Sequence, residues 1–149
     1  MPTSYSYRTT AHWTEHTRGI VEAEGVPRTI NFAAPPEFGG EPGLWTPEHL
    51  LVAAVSTCYV ATLRAVAEAS KLQLHSLELT VEGTLEKQEG GFRFTRVLLR
   101  PAVTITQEED RERMGRVLEK AERACLITRS LACTALLEAK ILVREVAHV

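Results

Sequence analysis

The chain has 149 residues, of which 44% are hydrophobic and 24% charged, and its net charge is −2. This is the size and composition of one soluble domain with a real core, and its interleaved acids and bases leave no basic footprint for nucleic acid or anionic membrane. Met1 to His12 is polar and β-prone rather than a signal peptide, and three cysteines without an export signal fit a reducing cytoplasm, not a disulfide framework.

Ser4 to Trp13 carries Tyr5, Tyr7, Thr9 and Ala11 in rough alternation and predicts a first strand. Thr14 to Arg18 is a polar turn, Gly19 to Glu24 a second strand, Gly25-Val26-Pro27 another turn, and Arg28 to Phe32 a third strand. Strands joined by turns this tight predict an antiparallel meander. Ala33 to Leu44 holds Pro35, Pro36, Pro42, Gly39, Gly40 and Gly43, and reads as a loop.

A long helix follows, from Trp45 to Lys71. Thr46 is placed to cap it, Pro47 to occupy its first position, and Glu48 to complement its dipole. Leu50 to Leu63 carries no charged side chain, so the helix is apolar around most of its circumference and belongs in the middle of a core. The uncharged run is shorter than the roughly 20 residues of a membrane span, and Ser56, Thr57 and Thr62 interrupt it. Thr57, Arg64, Glu68 and Lys71 make a narrow polar face. Leu51, Val55, Cys58, Thr62, Ala65 and Ala69 lie toward the other side, which puts a thiol on the buried side.

His75 to Lys87 alternates Leu77, Leu79, Val81 and Leu85 against Glu78, Thr80, Glu82 and Thr84, the pattern of a half-buried strand. Glu89-Gly90-Gly91 turns the chain into a partner strand, Phe92 to Ile105. Thr106 and Glu109 form a capping box that opens a second helix to about Ala124, with Met114, Val117, Leu118, Ala121 and Cys125 on one face. Thr128 is placed to cap a third, short helix through Cys133, and Ala135 to Val146 predicts a last strand. The order β-β-β, α, β-β, α, α, β is an α+β architecture in a single domain, residues 1–149.

Any one of the three cysteines could be a small buried hydrophobe. Zinc lacks support, because Cys125 and Cys133 stand apart with no paired C-x-x-C or H-x-x-x-H. His12, His16, His49, His75 and His148 could serve as bases, but none falls in a nucleophile motif. Cys58 and Cys125 differ in their company: both sit on the core side of a helix, near side chains able to tune a thiolate.

The stretch W-T-P-E-H-L-L-V-A-A-V-S-T-C, Trp45 to Cys58, resembles the P-E-E-L-L-x-A-A-x-x-x-C signature of the osmotically inducible protein C and organic hydroperoxide resistance (OsmC/Ohr) family. A-E-R-A-C-L-I-T-R-S-L, Ala121 to Leu131, is similar to that family's second motif, a C-P-x-S-K-A-L segment. Leu126 stands where the motif has proline, and Thr128 where it has serine. The resemblance implies antiparallel sheets wrapped around long central helices in an intertwined homodimer. It also implies a thiol peroxidase for organic hydroperoxides, with Cys58 peroxidatic, Cys125 resolving, Glu48 the motif carboxylate and Cys133 structural. The activating arginine of the organic hydroperoxide branch lies in an early strand-turn segment, which Arg18 of T-R-G matches; Arg28 and Arg129 are the other candidates. In the other branch it comes from the loop before the helix, where this chain has no arginine.

Such chemistry needs a thiolate, and a neighbouring guanidinium favours one while a carboxylate holds the guanidinium in place. Attack on the O–O bond then yields a sulfenic acid, which condenses with the second thiol. An external dithiol, in the family commonly a lipoyl group, reduces the disulfide. No metal, flavin or haem is called for, and apolar surroundings suit an organic hydroperoxide. A non-catalytic dimer of the same fold binding a small apolar ligand, or another cysteine-based activity such as thiol transfer, stays open. Glu48 and Cys58 lie ten residues apart, roughly 15 Å along one helix. A shared site therefore predicts a two-fold dimer whose antiparallel helices bring Glu48 of one subunit near Cys58 of the other.

Overall fold

The computed structural model describes residues 3–145; Met1, Val146 and His148, weighed above, lie outside them. The chain divides into two compact units, Met1–Leu51 and Val52–Val149.

The first unit is the expected meander: β1 (Thr9–Glu15), β2 (Arg18–Ala23) and β3 (Val26–Ala33), antiparallel and in that order. The first strand starts later than its alternation suggested. Thr9 pairs with Ala23 at the end of β2, and the Glu24 N–H to Arg8 carbonyl bond (3.1 Å) closes the ladder. Val26 and Pro27 belong to β3 rather than to a turn. Val26 pairs with Ala23, so Glu24-Gly25 makes the whole connection, with Gly25 at φ 81, a conformation that costs glycine nothing. Every residue of β1 is exposed, as are the first six of β3. The proline-rich loop, which contains a 3₁₀ turn at Pro36–Phe38, is closed by the Ala33 N–H to Trp45 carbonyl bond of 2.8 Å. Thr46 then caps the long helix as expected, its Oγ1 accepting the His49 N–H at 3.1 Å.

That helix, α1 (Pro47–Ala69), begins in the first unit and continues through the second. Its fully buried stripe is Val55, Tyr59, Leu63 and Ala67, spaced by four. This is a correction. Cys58 is only half-buried, and Ala65 and Ala69 are exposed. The small alanines lose to Tyr59 and Leu63, which bury far more apolar area per side chain. Burying Tyr59 also satisfies its hydroxyl, which donates to the Leu118 carbonyl at 2.9 Å. By length and composition α1 would suffice to cross a membrane, despite the shorter uncharged run that argued against it.

In the second unit, β4 (Ser76–Gln88) and β5 (Gly91–Ile105) form a long antiparallel hairpin, paired from Ser76↔Thr104 to Gln88↔Gly91 with a bulge at Thr84/Leu85. Gly83 lets α1 approach this sheet: a Cβ there would stand 2.8 Å from Val52 Cγ2 and 2.9 Å from the Phe94 ring. The predicted last strand is two strands, β6 (Thr134–Leu137) and β7 (Lys140–Val143), both parallel to β5. The second sheet is therefore mixed. Pro101 explains the break, because it has no N–H to donate where the chain passes from β6 to β7. Arg100 beside it bridges Glu82 and Glu138.

The second helix, α2 (Arg111–Ala124), buries Met114, Val117, Leu118 and Ala121 as its spacing predicted. Its start differs. Glu108–Asp110 form a 3₁₀ turn, and the helix is capped at Asp110, not at Thr106, with no side-chain cap bond. The acids are engaged by arginines instead, Glu108 by Arg111 and Asp110 by Arg113. The third helix, α3 (Leu126–Arg129), starts behind Cys125, so Thr128 lies inside it rather than capping it. Buried side chains of α1, β5 and α2 make one core that includes Cys125.

Candidate functional site: a pair of thiols

Cys58 and Cys125 come together in the second unit. Cys125 ends α2 and precedes α3; its extended backbone (φ −64, ψ 107) turns one helix into the next and leaves its side chain fully buried. Both thiols are free, and each acts on the other's ionisation: Cys125 favours the Cys58 thiolate, and Cys58 opposes ionisation of Cys125. Tyr59, one residue on, fixes this part of α1 to α2 through Leu118.

The two sulfurs are driven in opposite directions. At Cys58, burial pushes the thiol up, but hydrogen bonds from the backbone of Ile127, the Cys125 thiol, the Thr62 hydroxyl and the backbone of Leu126 together hold it below its ordinary value. The Thr62 oxygen stands 3.9 Å from the sulfur, one helical turn along. At Cys125, burial likewise pushes up. The Thr128 hydroxyl, 3.2 Å away, and the Thr128 backbone favour the charged form, while donation to Cys58 and the negative charge there oppose it. The balance leaves Cys125 above the ordinary value. Of the two thiols, Cys58 is the one whose surroundings favour the thiolate.

Thr62 and Thr128 were not singled out for this role from the sequence, although each stands a helical turn from its cysteine. Cys133 is half-buried and packed against the core. Among the described residues, no three His, Cys, Asp or Glu side chains gather as a metal site.

The other two candidates lie in the first unit. Arg18 makes a bidentate pair with Glu41, Nε to Oε2 and Nη2 to Oε1, both at 2.5 Å. Bonding to Glu41 raises the Arg18 guanidinium above its usual range, and bonding to Arg18 holds the Glu41 carboxyl below its own. Glu41 comes from the proline-rich loop, which carries no arginine but supplies this carboxylate. Glu48 is different: its Oε2 is buried and accepts no hydrogen bond among the described residues. Arg28 and Arg129 are both exposed.

Residues 40–140 match the family described as OsmC-like protein. The chain belongs to this family. The uncharacterized protein YmaD of Bacillus subtilis is 28% identical over 125 residues, which is 81% of this OsmC-like chain and 83% of that protein. A protein of Escherichia coli named peroxiredoxin OsmC is 26% identical over 125 residues, 81% of this chain and 86% of its own. An OsmC-like protein of unknown function from Vibrio cholerae shares the fold, with a TM-score of 0.83 at 20% identity over 91% of this chain and 99% of the other. The α+β fold, with its meander, mixed sheet and long helix, is that of the OsmC/Ohr proteins.

Proposed function

We propose that this OsmC-like protein is a two-cysteine thiol peroxidase that reduces organic hydroperoxides, with Cys58 peroxidatic and Cys125 resolving. The observation that carries the proposal is that Cys58 packs against the buried core that holds Cys125, the two free thiols acting on each other so that one lies below and the other above the ordinary thiol range. The name of the Escherichia coli relative supports the same chemistry. The Cys58 thiolate attacks one peroxide oxygen, the O–O bond breaks, and the leaving alkoxide takes a proton to become the alcohol. Cys58 is left as a sulfenic acid, oxidised by two electrons. Cys125 then displaces hydroxide from that sulfur, forming the disulfide and releasing water. An external dithiol, for which a lipoyl group is chemically suited, returns both thiols in a reducing cytoplasm.

The working form is a homodimer. Only 22% of the most apolar stretch of α1 is buried in one chain, far less than a monomer's core helix needs. Trp13 is 77% exposed on the meander, and Leu126 is 63% exposed beside the thiols. Surfaces of this kind are covered in obligate dimers. The dimer would also supply what one helix cannot, bringing Glu48 of one subunit toward Cys58 of the other across the roughly 15 Å that separates them along α1. The unpartnered Glu48 oxygen supports a partner from outside its own chain. Arg18 would activate Cys58, with Glu41 holding its guanidinium.

The test is turnover of tert-butyl hydroperoxide with a dithiol. Cys58→Ser should abolish it, Cys125→Ser should allow one oxidation and then stall, and Cys133→Ser should leave it near wild type. Full turnover by Cys58→Ser removes the proposal, and a wild-type Cys58 inert to peroxide favours a ligand-binding dimer instead.

A further inference from the structure

We infer that Thr128 is a positioning residue for the second half of this cycle, its hydroxyl holding the Cys125 sulfur ready to attack oxidised Cys58. The inference rests on the peroxidase function proposed above and assigns a role to a residue that function did not need.

The geometry is specific. A threonine or serine inside a helix usually returns its hydroxyl to a backbone carbonyl three or four residues back. Thr57 does so with Ala53 (2.8 Å), and Ser130, two residues beyond Thr128, does so with Leu126 (2.8 Å). Thr128, only 9% exposed, instead donates to the Cys125 sulfur at 3.2 Å. Cys125 itself is fully buried, so no bulk water can stabilise it as an anion. The hydroxyl is the side-chain donor that replaces water there, and it fixes where the sulfur lone pairs point.

The order of events follows from the charges around the pair. While Cys58 is a thiolate, its charge and the hydrogen bond it accepts keep the proton on Cys125. Peroxide converts Cys58 to a neutral sulfenic acid and removes both restraints. What is then left on Cys125 is burial, which still pushes the thiol up, and against it the Thr128 hydroxyl and backbone, the groups that favour the thiolate. The titratable groups facing Cys125 are Cys58 and Tyr59 of α1 and, through Tyr59, Glu122 of α2; the Tyr59 phenol stays protonated, pushed up by burial, Glu122 and Cys125. In the step itself the Cys125 sulfur forms the S–S bond and the Cys58 S–O bond breaks. The departing hydroxide, with the proton Cys125 gave up, leaves as water. No further oxidant is required.

The test separates the two steps in Thr128→Val and Thr128→Ser proteins treated with stoichiometric tert-butyl hydroperoxide, following sulfenic acid by dimedone trapping and disulfide by mass spectrometry. In Thr128→Val, disulfide formation should slow about tenfold or more, the loss of one hydrogen bond to a charged group. Sulfenic acid should accumulate, and the pH at which resolution reaches half its maximum should rise. Thr128→Ser should restore all three. A second measurement needs no peroxide and uses a Cys58→Ser, Cys133→Ser background. There the ultraviolet absorbance of the Cys125 thiolate should emerge at higher pH when Thr128→Val is added than when Thr128 is kept. A Thr128→Val protein that forms sulfenic acid and then disulfide at the wild-type rate overturns the inference alone. A wild-type protein that never forms sulfenic acid at Cys58 overturns the peroxidase function and the inference with it.

Discussion

Tyr59→Phe removes one oxygen from the core and tests how α1 is tied to α2. Tyr59 is 0% exposed and its hydroxyl donates to the Leu118 carbonyl at 2.9 Å. The phenylalanine ring fills the same volume except for that atom, so the cost is one buried hydrogen bond and little packing. Such bonds contribute about 0.5–1.5 kcal/mol net. Leu118 lies within α2, where its carbonyl can also accept from the following turn, so the cost belongs within that range rather than at the penalty for an orphaned acceptor. We expect about 1 kcal/mol, read as a fall of roughly 0.3–1 M in the urea midpoint with the slope unchanged. Protein concentration must be matched between the two proteins, because an oligomer's stability depends on it. An unchanged midpoint would show that the hydroxyl contributes nothing. A loss beyond about 3 kcal/mol would show that Tyr59 does more than tie two helices.

Three other outcomes are expected. The rate of Cys58 oxidation should climb with pH and level off below the ordinary thiol value, because the reactive thiolate is fully formed above a lowered pKa; Cys125→Ala, which removes a donor, should move the curve to higher pH. Stopped-flow oxidation across pH checks both, and a Cys125→Ala curve unmoved would contradict the role given to that donor. Arg18→Ala should raise the Cys58 pKa and slow peroxide attack, and an unchanged thiol titration would pass the assignment to Arg28 or Arg129. Gly83→Ala should destabilise by about 1–3 kcal/mol in urea, since its Cβ would press on Val52 and Phe94, and a neutral effect would mean that α1 yields freely there.

Much of this was legible in the chain because the signals were periodic or local. The alternation of Leu77, Leu79 and Val81 located β4, and the Thr46-Pro47-Glu48 sequence located the start of α1. The i, i+3, i+4, i+7 spacing of Met114, Val117, Leu118 and Ala121 identified the buried face of α2, and Cys125 with it. The misses arise where the deciding interaction is remote. Which face of α1 is buried depends on Tyr59 finding Leu118, 59 residues away. The break between β6 and β7 depends on Pro101 in another strand. Thr106 makes a plausible cap until the 3₁₀ turn of three acids moves the start of α2 to Arg111. At the site, sequence motifs pointed to Cys58 and Cys125, but their opposite electrostatic settings depend on Ile127, Thr62 and Thr128, which only the fold assembles.

The most direct test of the account is mass spectrometry of the protein after one equivalent of organic hydroperoxide, digested without reductant. The account predicts a peptide pair joined by a Cys58–Cys125 disulfide, lighter by two hydrogens than the sum of its parts and lost on treatment with dithiol. Cys58 recovered as an unmodified thiol, or joined to Cys133 in place of Cys125, would contradict it.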